Sequence, residues 1–148
     1  QGRQLVSLHG TPIYWSDLDS LWSRFSASYT REEALQLSRK IIQQLQELSF
    51  PLQVWRGLDL YAADPVRLEN GGGSSWSPDR RSAANFGTTL LAGVLPTPSA
   101  VDWNETVYRR IRYDLLDEEG WRIDPTIPER EVVVKPGGVK EVRVAVRG

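Results

Sequence analysis

The hydrophobic pattern changes period partway along the chain, and that change constrains the fold more than any other feature. Ser16-Asp17-Leu18-Asp19 has the form of a capping-box helix start, with Leu18, Leu21, Trp22 and Phe25 at helical spacing behind it. Thr30 and Glu33 form a second such start. Leu37, Ile41, Leu45 and Leu48 then mark one face of a helix that ends near Ser49, where Phe50-Pro51 breaks it. Beyond that point the chain offers short strand-like runs near Gln53 to Leu58, Thr89 to Leu95, Glu105 to Tyr113, Glu131 to Lys135 and Glu141 to Arg147, separated by Pro and Gly turns. Helices at one end and strands at the other predict an α+β fold. With no internal repeat, the simplest reading is a single domain over 1–148, helical over about 12–50 and β over about 51–148.

Composition excludes several function classes. The formal net charge of -1 gives no global attraction to nucleic acid or to an anionic membrane. The absence of Cys rules out disulfides and thiolate metal sites. No apolar run approaches the ~18 residues of a membrane-spanning helix. The chain begins at Gln1 and contains no Met, so the expectation is an excised domain or a processed fragment.

Against this ordinary background three short stretches carry chemistry. In Val54-Trp55-Arg56-Gly57-Leu58 a guanidinium interrupts an apolar strand. If it faces inward it needs an anionic partner, either a phosphate, which its planar fork suits, or one of the chain's own carboxylates. Gly57 lets another backbone or a ligand approach closely. In Ser75-Trp76-Ser77 the two serines share one strand face and Trp76 takes the other. Pro78 follows, so Ser77 reads as a helix N-cap with Pro at N1, the helix running through Ala83 and Ala84 to Phe86 before Gly87. In Pro128-Glu129-Arg130-Glu131, an extended chain would point both carboxylates to the same side, with Val132-Val133-Val134 as a buried strand behind them.

The three motifs, in this order, resemble the mono-ADP-ribosyltransferases of the Arg, Ser, Glu class, over roughly two thirds of the chain from about Leu45 onward. The resemblance implies a split mixed β-sandwich behind the N-terminal helices, with NAD as co-substrate in the cleft and no metal. It implies that Glu131 bonds the ribose hydroxyl and stabilises the oxocarbenium-like charge, that Ser75 orients Glu131, and that Glu129 orients and deprotonates an acceptor arginine. It assigns Arg56, Gly57, Ser75, Trp76, Ser77 and Phe86 to the cofactor; this chain leaves little room for the loop that in some toxin relatives supplies an extra Arg to the phosphates, and Arg80 or Arg81 would substitute for it. The segment from Asp117 to Pro128 stands where the family carries its target-recognition loop. Trp121 at its centre is either an exposed anchor for a partner or a side chain folded onto the core.

The implied function is NAD-dependent transfer of ADP-ribose to protein arginine. The setting would be a toxin or effector delivered to a target-cell cytosol, with a protein target, a cognate immunity protein and no membrane partner. Two other readings stand beside it: nucleic acid or water as acceptor, the latter giving an NAD glycohydrolase, and a binding module that keeps the fold without turnover. His9 reads as structural or solvated. Arg109, Arg110 and Arg112 read as alternating along a solvated strand.

Overall fold

Thr30 caps a helix by two reciprocal hydrogen bonds: its Oγ1 accepts from the Glu33 N–H at 3.1 Å, and its own N–H donates to Glu33 Oε1 at 3.0 Å. Two otherwise unsatisfied backbone donors are thereby paired, as the Thr30/Glu33 spacing predicts. In the computed structural model, which describes residues 4–25, 29–58, 74–114 and 130–146, this is one of four helices. They are α1 (Trp15–Phe25), α2 (Arg31–Gln46), α3 (Arg80–Ala84) and α4 (Trp103–Asp114). The strands are β1 (Gln4–Leu8), β2 (Thr11–Tyr14), β3 (Leu52–Leu58), β4 (Ser74–Trp76), β5 (Thr89–Leu95), β6 (Val132–Val134) and β7 (Lys140–Val146). Among the described residues they form three antiparallel sheets, β1-β2, β3-β5-β7 and β4-β6, and no barrel. The class is α+β. Glu129, Trp121, Gly71 to Gly73 and the Asp117 to Pro128 segment lie outside the described residues.

The chain divides into two compact units. The first combines Gln1–Leu48 with Trp103–Pro128. Its helix α1 buries Leu18, Leu21 and Trp22 as the periodicity predicts, and the indole N–H of Trp22 donates to the buried Ser38 Oγ at 2.9 Å. On α2 the buried stripe is Ala34, Ser38, Ile41, Ile42 and Leu45, a fraction of a turn from the face read off Leu37 and Leu48.

Two features of this unit depart from the sequence reading. The N-terminus is a hairpin, β1 and β2 joined by His9 and Gly10, both at positive φ (47° and 87°), the signature of a two-residue primed turn. Pro12 in the second strand and the unusual His at the first turn position hide it in the sequence. His9 takes the structural of its two readings: its backbone N–H donates to Gln46 Oε1, its Nε2 is 2.9 Å from the Leu45 carbonyl, and its ring stacks on Trp103 with centroids 4.6 Å apart.

The second departure is Glu105 to Tyr113, expected as a strand and found within helix α4. Trp103, Thr106, Val107, Arg110 and Ile111 are all buried, a helical three-and-four spacing that the β-branched residues disguise. Glu105 and Arg109 meet at 3.1 Å as an i,i+4 pair. The arginine cluster therefore belongs to a helix: Arg109 pairs along it, Arg110 is on its buried face, and Arg112 lies over the Tyr113 ring.

The second unit, Ser49–Asp102 with Glu129–Gly148, carries the motif residues. β3 and β5 pair without interruption from Leu52↔Leu95 to Leu58↔Thr89, and β5 is buried along nearly all its length as the central strand of its sheet. Val54, Leu91, Gly93 and Leu95 share one face of this sheet. Trp76 of the β4-β6 ribbon packs there: a Cβ built on Gly93 would lie 3.5 Å from the edge of its ring. Helix α3 covers the opposite face beside Gly57.

Candidate active site

Arg56 lies in the middle of β3, directly opposite the fully buried Leu91 and on the same face as Val54. The register therefore turns a guanidinium toward an apolar face, and the side chain is half-buried. Burial pushes its pKa below the ordinary arginine value, and the negative charge of Glu131 acts in the opposite sense. Burial is the larger effect, so Glu131 offsets only part of the cost of placing this cation. Two residues from motifs far apart in sequence are thus brought within electrostatic reach.

Glu131 owes its position to β6, which is hydrogen-bonded along both edges. On one side Ser74, Ser75 and Trp76 pair with Val134, Val133 and Val132. On the other, Asp102 N donates to the Val133 carbonyl at 2.9 Å and Lys135 N to the Ala100 carbonyl at 2.8 Å. A residue at the entrance of such a strand is held by rigid neighbours on both sides. Val132, Val134 and Trp76 form the buried face of the ribbon, while Ser75 and Val133 share the half-open face. One step before the strand, the same alternation carries Glu131 to the Ser75 side.

The strand carrying Ser75 is fastened to the strand carrying Arg56. Trp55 N donates to the Ser77 carbonyl at 2.8 Å and Ser77 N to the Trp55 carbonyl at 2.9 Å. Ser77 is buried, and its hydroxyl accepts from Asp79 N at 3.0 Å. It is not the helix cap. Asp79 caps α3, its Oδ1 accepting from Arg81 N and Ser82 N at 2.9 and 3.2 Å. Of the two cap candidates flanking Pro78, Asp79 directly precedes Arg80, where α3 begins, and α3 ends at Ala84, before Phe86.

Two further motif residues have structural surroundings. A Cβ on Gly57 would come within 2.1 Å of the Ala83 carbonyl oxygen, so the close approach that Gly57 permits is that of another backbone. Trp76, only 2% exposed, belongs to the core and shapes the site by seating the ribbon. Phe86, by contrast, is 52% exposed beside Gly57, and Arg80 and Arg81 are exposed on α3.

The segment between the two glutamates is not extended. Arg130 has φ 50°, in the left-handed region, and β6 begins at Val132 rather than at Glu131. The same-face rule for residues i and i+2 therefore does not apply across Arg130. The sequence reading did not pair Arg130 with Asp79, whose side chains meet at 3.3 Å. The signal was an arginine flanked by two acids, with a further acid two residues beyond Ser77.

No protein-family model, no curated protein and no solved structure matches the chain.

Proposed function

We propose that the chain is an NAD-dependent mono-ADP-ribosyltransferase of the Arg, Ser, Glu class, built on a split β-sandwich and acting on protein arginine as the catalytic part of a toxin or effector. The observation that carries the reading is the placement of Arg56: a half-buried cation on an apolar sheet face, within electrostatic reach of Glu131. A bound anion would favour that cation further. The NAD pyrophosphate has the charge and the oxygen geometry for a guanidinium fork.

On this reading Glu131 does the electrostatic work. As the bond from ribose C1 to nicotinamide breaks, its electron pair leaves with nicotinamide and positive charge grows on the ribose. A fixed carboxylate hydrogen-bonded to the ribose hydroxyl favours that state over the ground state. Ser75, on the adjacent strand and the same side of the ribbon, orients Glu131. Glu129 orients the acceptor guanidinium, whose very high pKa keeps it protonated and a poor nucleophile, and takes the proton lost as nitrogen bonds to C1. Arg80 or Arg81, at the start of α3 beside the Asp79–Arg130 pair, is the further phosphate ligand, and Trp121 anchors the protein target.

One observation favours a second acceptor. The left-handed Arg130 removes the argument that Glu129 and Glu131 share a strand face, which leaves the choice of arginine resting on the resemblance alone. Water or a nucleic acid is the alternative, with the roles of Arg56, Ser75 and Glu131 unchanged. Incubation with tagged NAD and a cell lysate separates these outcomes. Label removed by protease and located on arginine by tandem mass spectrometry supports the leading reading. Label removed by nuclease, or NAD hydrolysis without label, transfers the assignment to the alternative. The partner role of Trp121 predicts that Trp121→Ala reduces labelling of the target far more than NAD hydrolysis.

A further inference from the structure

Arg130 combines two features at an exposed position. Its backbone is left-handed at φ 50°, a conformation that crowds the Cβ of any residue but glycine. Its guanidinium Nη1 lies 3.3 Å from Asp79 Oδ2. The other oxygen of Asp79 accepts the Arg81 and Ser82 N–H groups at the start of α3. One carboxylate thus caps a helix with one oxygen and holds the loop that leads into Glu131 with the other.

We propose that the Asp79–Arg130 pair is a backbone clamp, holding residue 130 left-handed and thereby setting how Glu131 enters β6 and stands relative to Arg56. The chain direction at Glu131 is fixed downstream by β6, paired on both edges, and upstream by the φ of Arg130. Rotating residue 130 into the right-handed or β region redirects the chain just before the carboxylate. The worth of an exposed ion pair and the steric cost of one left-handed residue are of the same small order. Losing the pair therefore removes a contribution comparable with the cost of the left-handed φ. Asp79 and Arg130 are positioning residues on this account.

The inference is separable from the assigned chemistry, although its kinetic consequence rests on the transferase reading. Asp79→Asn is the informative variant, because Asn caps a helix as well as Asp does but cannot pair with a guanidinium as an ion. Arg130→Gly and Arg130→Ala form a second test, since both lose the pair and only glycine takes positive φ without strain. The experiment is nuclear magnetic resonance of backbone shifts and couplings at residue 130, with steady-state NAD hydrolysis on the same samples. Expected are a positive φ in wild type, a shift toward negative φ in Asp79→Asn and Arg130→Ala, and retention in Arg130→Gly. Hydrolysis should fall about two- to five-fold in kcat for Asp79→Asn and Arg130→Ala, with KM for NAD unchanged and Arg130→Gly nearer wild type. A positive φ that persists in Asp79→Asn overturns the clamp, as does a glycine variant no better than the alanine variant in either readout. If wild type hydrolyses no NAD while Asp79→Asn loses the positive φ, the clamp stands and the transferase reading fails.

Discussion

Trp55 and Ser77 exchange both of their backbone hydrogen bonds, at 2.8 and 2.9 Å, and so tie the strand of Arg56 to the strand of Ser75. Each of these strands is also paired elsewhere, β3 with β5 and β4 with β6. The candidate site is thus assembled on main-chain ladders, and point substitutions of its side chains should report on chemistry more than on folding. The exceptions are residues whose packing is as tight as their proposed function is specific, and these give the sharpest tests.

Gly57 is the first. An added Cβ would meet a backbone oxygen, Ala83 O, at 2.1 Å, so α3 must move to admit it. Gly57→Ala should destabilise by about 1 to 3 kcal/mol, the range for overpacking, read as a lower midpoint in denaturant at unchanged slope. Unchanged stability with weakened NAD binding would mean that the glycine instead makes room for the ligand.

Arg56 should carry affinity. Arg56→Met should remove NAD binding, and because it leaves the Glu131 carboxylate without its cation, its thermal midpoint should not rise. Arg56→Lys keeps the charge but loses the fork, and calorimetry should show NAD binding weaker by about 1 to 3 kcal/mol. Wild-type affinity in both variants would take Arg56 out of the site.

Ser82 offers a control near the site that carries no proposed chemistry. Its hydroxyl is buried with no hydrogen-bond partner among the described residues, on the helix that packs against Gly57. An unsatisfied buried hydroxyl costs about 1 to 3 kcal/mol, so Ser82→Ala should raise the thermal midpoint by a few degrees and leave any NAD turnover intact. A fall in stability would show that the hydroxyl is satisfied in solution.

The sequence discloses what depends on local chemistry. The Thr30/Glu33 capping box, the β5 run from Thr89 to Leu95 and the β-branched Val132–Val134 all stand where their residues imply. It misleads where tertiary packing overrides local preference. The residues from Glu105 to Tyr113 look strand-like by content, yet Trp103, Val107 and Ile111 bury one helical face. His9 carries no turn signal beyond Gly10, because its place comes from Gln46, Leu45 and Trp103. At the site, the types and order of Arg56, Ser75 and Glu131 were legible, whereas the left-handed Arg130 and its bond to Asp79 were not. No alternation rule anticipates a positive φ between two acids.

Release of nicotinamide from NAD, compared between wild type and Glu131→Gln at matched folded concentration, tests the central claim most directly, with Glu129→Gln as the companion. Wild type should release nicotinamide, and Glu131→Gln should lose both hydrolysis and transfer by on the order of 10² or more, as when one electrostatic stabiliser is removed, with its fold intact. Glu129→Gln should lose transfer to arginine and keep hydrolysis. No release by folded wild-type protein, or equal release by wild type and Glu131→Gln, would contradict the account.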